Sequence, residues 1–210
     1  MENKQYLSIV AHYENCLEQH GDSHLGVDWP KLEDAQTRYQ VMLEVIKLGD
    51  RGRDLRLLDF GCGASHLYEH IRKHDISGIE YAGLDLSRKF VELSKNKFPE
   101  NKYYCLDLLE DNEVIPNFDY VLMNGVFTEK GTLSFAEMFA YFQQLVRRAF
   151  EKAETGLAFN VMSKHVDWER DDLFHLPFDS LAAFLRAEIT RNFVMRSDYG
   201  LYEYTTYLYR

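Results

Sequence analysis

At 210 residues with 46% hydrophobic composition, the chain is long enough to bury the core of one α/β unit, and a single domain is expected over residues 1–210. A formal net charge of −10 argues against a large nucleic-acid footprint, which needs a concentrated basic surface. Three cysteines (Cys16, Cys62 and Cys105) without paired-ligand spacing give no disulfide scaffold, and the absence of a signal-like start or a membrane-length apolar run points to a cytoplasmic protein with no membrane partner.

The first 50 residues read as helical cover and residues 51–210 as the core. Tyr6, Ile9, Val10, Tyr13 and Leu17 recur at helical spacing until His20-Gly21-Asp22 breaks the pattern. LGVDWP then holds Trp29 in a turn, and a second helix is expected from about Leu32 through Tyr39, Met42, Leu43 and Ile46 to a stop at Gly49. The basic cluster Arg51, Arg53 and Arg56, interrupted by Gly52 and Asp54, reads as a solvated turn.

From Leu55 the pattern becomes β-α-β-α. An apolar strand at Leu55, Leu57 and Leu58 leads to a helix from Ser65 to His74, then to a second apolar run, Tyr81 to Leu84. A helix from Ser87 to Phe98, with Ser87 as N-cap and Pro99 as terminator, precedes strands at Tyr103–Leu106 and Tyr120–Met123 with a short polar crossing between them. Ser134 to about Lys152 has the clearest helical period, with Phe135, Met138, Phe139, Phe142, Leu145, Val146, Ala149 and Phe150 on one side, and is read as sheet-covering core. A strand at Gly156–Val161, an irregular stretch from Met162 to Pro177 and a helix from Phe178 to about Arg186 follow. Two β-rich runs, Arg191–Met195 and Tyr202–Tyr209, are joined by Asp198-Tyr199-Gly200 and read as antiparallel neighbours. No internal repeat appears.

Chemistry concentrates in LRLLDFGCG, Leu55 to Gly63. An apolar strand running into an acid and two close glycines lets backbone amides approach a ligand at the start of the next helix. Asp85, 24 residues beyond Gly61, ends the second apolar run where such folds set a carboxylate on ribose hydroxyls. A dinucleotide fingerprint would want a small residue three places after Gly63, where His66 stands. Asp59 would oppose a pyrophosphate and suit a cationic ligand such as a sulfonium or an amino group. A nicotinamide cofactor is therefore the second choice.

These segments resemble the class I S-adenosylmethionine-dependent methyltransferases. LLDFGCG is similar to the family's first motif, YAGLDLS to its second, YYCLDLLE (Tyr103 to Glu110) to the strand whose terminal acid faces adenine, and FDYVLMNGVF (Phe118 to Phe127) to the fourth strand, all in the family's order. The resemblance implies a Rossmann-like, mostly parallel seven-stranded sheet closed by an antiparallel C-terminal strand, here YEYTTYLYR, and S-adenosyl-L-methionine as cofactor. Carried over by position, Asp59, Gly61, Cys62 and Gly63 would line the methionine part, Asp85 the ribose with Leu86 against adenine, and Asp107 with Leu108 the adenine amino edge. Asn124 and Gly125 would border the methionyl portion. Arg38 would pair with the methionine carboxylate and Trp29 would shield the sulfonium or the substrate.

Methyl transfer is an in-line displacement in which alignment and desolvation do much of the work. A hydroxyl acceptor also needs a base, and the segment SKHVDWERDDLFH, Ser163 to His175, follows the fifth strand at the functional edge. His165 is the candidate base there, ahead of His175, Asp167 and Glu129. His66, His70 and His74 share a helix face, but the outer two are roughly 12 Å apart along the axis, too far to share an ion. Asp167, Asp171 and Asp172 are the acids a magnesium-assisted transfer would use; no metal is assigned. The expected function is methylation, oxygen preferred, of a small-molecule acceptor such as a sugar, glycan precursor or secondary metabolite. The alternatives are a protein or RNA methyltransferase, a nicotinamide-dependent oxidoreductase, and a non-catalytic binding module that retains the fold.

Overall fold

A computed structural model describes residues 5–47, 53–110 and 115–210. Its frame is a seven-stranded sheet made of β1 (Leu55–Phe60), β2 (Ile79–Asp85), β3 (Lys102–Cys105), β4 (Phe118–Phe127), β5 (Ala153–Met162), β6 (Phe193–Arg196) and β7 (Glu203–Tyr209). The spatial order is β3-β2-β1-β4-β5-β7-β6. Neighbours pair in parallel except at β7, which runs antiparallel to both β5 and β6.

The near-continuous apolar strands follow from burial on both faces. Alternate residues go to opposite sides: Leu58, Val121, Met123 and Phe159 join one core, while Leu57, Tyr120, Leu122 and Ala158 join the other. The first core is covered by α5 (Phe135–Lys152) and α6 (Phe178–Glu188), the second by α2 (Leu32–Leu43) and α3 (His66–Lys73). Helix α5 starts with a capping box in which the Ser134 hydroxyl accepts from the Glu137 amide and the Glu137 carboxylate accepts from the Ser134 amide. Helix α4 (Arg88–Lys97) is capped by Ser87, whose hydroxyl accepts from the Phe90 amide.

The N-terminal segment forms α1 (Leu7–His20), stopped at Gly21, and then a short 3-10 turn, Leu25–Val27. Among the described residues, no helix is long and apolar enough to cross a membrane.

Two expectations need correction. Helix α2 ends at Leu43 rather than continuing through Ile46. Its last turn tightens, with the Glu44 amide bonded to the Val41 carbonyl and the Ile46 amide to the Leu43 carbonyl, and the Lys47 amide then donates to the Tyr120 hydroxyl of the sheet. The expected stop at Gly49 lies outside the described residues, as do Arg51 and Gly52. Arg53 is more than a solvated loop residue: its guanidinium makes two 2.8 Å bonds to buried Asp119, which also accepts from the Arg56 amide at 2.7 Å. Strand β4 has the bounds of the FDYVLMNGVF segment, Phe118–Phe127, but its pairing with β5 shifts register between Met123 and Phe127. That irregularity falls at Asn124–Val126, beside the cavity described next.

Candidate active site

A cleft partly open to solvent lies at the carboxyl ends of β1, β2 and β4. Tyr6, just before helix α1, and Ile9, Val10 and Tyr13 on the helix form its roof, and the turn after the helix supplies Val27 and Trp29. Ligand sites of open α/β sheets fall at this edge, where the connection reverses from one side of β1 to the other.

The turn after β1 is tied to its neighbour before any ligand arrives. The Gly61 and Cys62 amides both donate to the Leu84 carbonyl, at 2.7 and 3.0 Å. Gly63, at φ +50°, aims its amide at Asp85 Oδ2, 2.9 Å away, and the Ser87 amide meets Asp85 Oδ1 at 2.8 Å. One carboxylate therefore joins the β1–α3 turn to the β2–α4 turn, and each oxygen keeps a further lone pair for a hydroxyl in the cleft. Burial pushes Asp85 up to about 6 against the pull of these backbone donors, with the Glu14 charge adding to the rise. Asp59, 3% exposed, accepts from the Tyr81 hydroxyl at 2.7 Å. Burial, with the Asp85 charge adding to it, pushes its carboxyl up to about 7.

The opposite wall is the Gly125 peptide. Its amide donates to Asn160 Oδ1 at 2.7 Å, and its carbonyl accepts from the Tyr13 hydroxyl at 3.3 Å. Gly125 sits at φ +77°, and a Cβ there would lie 2.6 Å from Trp29 Cζ2, so both conformation and space call for glycine. Behind it runs a buried chain: Asn160 Nδ2 donates to Glu203 Oε1 at 3.1 Å, and Arg38 Nε donates to Glu203 Oε2 at 2.8 Å. The Arg38 guanidinium also stacks 4.2 Å over the Trp29 ring. Burial raises the Glu203 carboxyl while Arg38 and Asn160 pull it down. Next to Gly125, Asn124 Oδ1 is buried and has no hydrogen-bond partner, an open acceptor on the cleft wall.

Of the residues singled out from sequence, Asp59, Gly61, Cys62, Gly63, Asp85, Leu86, Asn124, Gly125 and Trp29 all line this one cleft. Asp107, Leu108 and Arg38 do not. Asp107 accepts from the Tyr6 hydroxyl at 2.5 Å and from the Leu109 amide at 2.9 Å, so it acts behind Tyr6, whose ring stacks on Tyr141 at 4.8 Å. Leu108 is buried in the core beneath the sheet edge. Arg38, expected at the mouth, has its Nε on Glu203 instead and supports Trp29 from outside the lining.

His165 is exposed, stacks on Phe178 at 5.4 Å and lies outside the lining. His175 is buried with both ring nitrogens engaged, Nδ1 with the Ser163 carbonyl at 2.6 Å and Nε2 with the Arg170 amide at 3.2 Å. Asp172 pairs with Arg170, and Asp167 accepts from the Tyr202 hydroxyl at 3.4 Å. His66 bonds Asp22 at 2.9 Å, whereas the His70 and His74 rings lie 4.1 Å apart. The three histidines share no common centre.

Tyr6, Tyr13, Tyr141, Asn160 and Glu203 were not singled out as site residues. Tyr6 and Tyr13 were visible as the apolar face of α1, and Tyr141 lies on a helix read as core. The available signal for the other two was a polar residue within an apolar strand, Asn160 in GLAFNVM and Glu203 in YEYTTYLY.

A family model described as a methyltransferase domain matches residues 58–153, from β1 to the start of β5. No curated protein sequence matches the chain. Among solved structures, magnesium protoporphyrin IX methyltransferase from Synechocystis with bound SAM is similar at 16% identity and a TM-score of 0.65, covering 100% of this chain and 98% of that one. The pyocyanin biosynthetic protein PhzM matches at 13% identity and a TM-score of 0.63 over 96% of this chain and 61% of its own. The [4+2]-cyclase SpnF matches at 18% identity and a TM-score of 0.59 over 90% and 73%. The last shows that the fold is not tied to one reaction class.

Proposed function

We propose that this chain, a class I S-adenosylmethionine-dependent methyltransferase, methylates a small molecule, with a hydroxyl oxygen the first nucleophile to test. The observation that carries the reading is the Asp85 clamp, a carboxylate held by Gly63 and Ser87 amides with lone pairs left over at the sheet edge.

The residues present fit the donor. Asp85 offers its oxygens to the ribose diol, Tyr6 and Tyr141 offer ring faces near the Asp107 end, and Asn124 Oδ1 offers an unfilled acceptor to an ammonium group. Asp59, whose carboxyl burial pushes up to about 7, stands on the β1 side of the cleft where it can give up its proton and face a cationic ligand with a charge. When bound, the donor supplies an electrophilic methyl on a sulfonium. The Gly125 peptide, fixed by Asn160 and Tyr13, and the Trp29 indole, fixed by Arg38, form a rigid wall that excludes water from the approach to that methyl. His165 stands outside the lining and is given no step. A small acceptor is favoured by the partial roofing of the cleft by α1 and by the acidic surface charge.

The test has two arms. Thermal shifts with S-adenosylmethionine, S-adenosylhomocysteine, NAD and NADP should show stabilisation by the first two alone. Asp85→Ala should weaken their binding by about 10- to 100-fold, the worth of hydrogen bonds to a charged group. Label from the methyl-tritiated donor should then pass to the low-mass fraction of a cell extract rather than to protein or RNA. Transfer to either macromolecule would refute the acceptor class while leaving the donor reading intact.

A further inference from the structure

Helix α1 places His12 and Cys16 one turn apart on the same face, and the turn that follows the helix returns Asp28 to them. Their ligand atoms all lie within 4.8 Å of one another, and among the described residues no other three His, Cys, Asp or Glu side chains come together in this way. His12 Nε2 is 3.8 Å from Cys16 Sγ and 2.7 Å from Asp28 Oδ2. In a tetrahedral zinc site the N···S and N···O edges are about 3.6 and about 3.3 Å and the S···O edge about 3.5 Å, so the nitrogen–sulfur edge is near its bound length, the carboxylate has to open from the nitrogen by roughly 0.6 Å, and the sulfur–carboxylate edge, within 4.8 Å, has to settle to its bound length.

Asp28 is held in a left-handed conformation, φ 59°, with its amide bonded to the Leu25 carbonyl. The local charge also favours a cation. Glu129, two residues past β4 and pushed up to about 7 by burial with Asp28 and Asp172 adding to the rise, acts electrostatically on both Cys16 and Tyr13, as does Asp28, so a cation there would draw off its proton. Against these three acids stand His12, Arg38, Lys130 and Arg170, of which Arg170 is already paired with Asp172 and Arg38 with Glu203.

We propose that His12 Nε2, Cys16 Sγ and Asp28 Oδ2 form a binding site for a divalent cation of the zinc class, which ties α1 to the 25–29 turn over the mouth of the cleft. The mixed nitrogen, sulfur and oxygen set selects zinc over magnesium or calcium, and three protein ligands leave a fourth position on the solvent side for water. On binding, the Cys16 thiol gives its proton to solvent and the sulfur forms the metal bond, while His12 moves its ring proton to Nδ1. The consequence for the cleft is mechanical. Tyr13, which holds the Gly125 carbonyl, lies between the two helical ligands, and Trp29 follows Asp28 directly, so the cation would fix both walls at once.

The experiment uses the reduced, metal-free full chain. Zinc is titrated against a chromophoric chelator, and cobalt is followed by its thiolate charge-transfer absorption. One cation per chain, proton release on binding and a rise in Tm are expected. Cys16→Ser should abolish the cobalt–thiolate band and His12→Ala should weaken zinc binding at least tenfold, whereas Cys105→Ser, which removes an exposed cysteine elsewhere, should change neither. Absence of stoichiometric binding by the wild-type chain, or a band that survives Cys16→Ser, would overturn the proposal. S-adenosylhomocysteine binding by the same metal-free protein, measured in parallel, reports the donor reading separately, so either can fail alone.

Discussion

A methyl group at position 125 would meet two obstacles at once. The backbone at Gly125 has φ +77°, which an L side chain rarely adopts, and the added carbon would press 2.6 Å from Trp29 Cζ2. Gly131 isolates the first of these, since it has φ +53° with no atom within 4 Å of an added Cβ. Gly131→Ala should therefore cost only the left-handed backbone term, about 1–2 kcal/mol, and leave S-adenosylhomocysteine affinity unchanged. Gly125→Ala should cost at least that much in stability, read as a lower Tm than that of Gly131→Ala, and also displace the indole, weakening ligand binding at least tenfold. Calorimetric Tm and ligand titration of the two variants separate strain from site geometry. Equal ligand affinity in both would mean that the Trp29–Gly125 contact does not shape the cleft.

Between elements, the same peptide depends on a chain that crosses the molecule: α2 supplies Arg38, β7 Glu203, β5 Asn160 and β4 Gly125. The Glu203 side chain is 1% exposed and that of Arg38 11%, so removing one charge strands the other largely out of water. Glu203→Gln should destabilise by about 3–5 kcal/mol, and Arg38→Met with Glu203→Leu together should recover much of that loss, because a buried pair is costly to break and less so to replace. Urea midpoints for the single and double variants test this; a loss below about 1 kcal/mol for Glu203→Gln would remove the pair from any structural role. This chain was the least legible part of the sequence. The glycine turn could be read because its determinants lie within LRLLDFGCG, and the Ser87 cap because Ser87 directly precedes the helix it caps. Arg38 and Glu203 are 165 residues apart, and Asn160 and Gly125 are 35 apart, so only the sheet order brings them together. Lacking that partner, the sequence reading directed Arg38 to the ligand. The end of α2 was missed for a similar reason, since a tyrosine on β4 captures Lys47. The register shift at Asn124–Val126 has a local trace in the single glycine of an apolar strand, which marks a break without saying what it packs against.

At the scale of the whole molecule, the cleft carries buried acids that are harder to ionise folded than unfolded, and this links stability, pH and ligand charge. Asp59, pushed up to about 7 with Tyr81 and Asp85 facing it and Tyr39 nearby, holds its proton more tightly when folded. Its stabilising contribution is complete below about pH 4 and is lost as pH rises to about 7, at a slope approaching 1.4 kcal/mol per pH unit. Asp85 adds a similar loss up to about 6. Asp22, held below its usual range by Lys97 and His66, works in the opposite direction at lower pH, so total stability is not a clean readout. The wild-type minus Asp59→Asn difference is, and it should fall steadily from pH 4 to 7 in the ligand-free protein. A bound cation reverses the incentive. Ionising Asp59 beside a sulfonium and an ammonium is favourable, so S-adenosylmethionine affinity should rise by up to about tenfold per pH unit through the same window, and Asp59→Asn should flatten that rise. Ligand titration at pH 5.5, 6.5 and 7.5 decides the matter. An equal slope in the variant would assign the pH dependence to Asp85, whereas a flat wild-type profile would mean that neither acid changes its proton when the donor binds, and that the cleft holds its cation by shape and dipoles rather than by a charge it releases on demand.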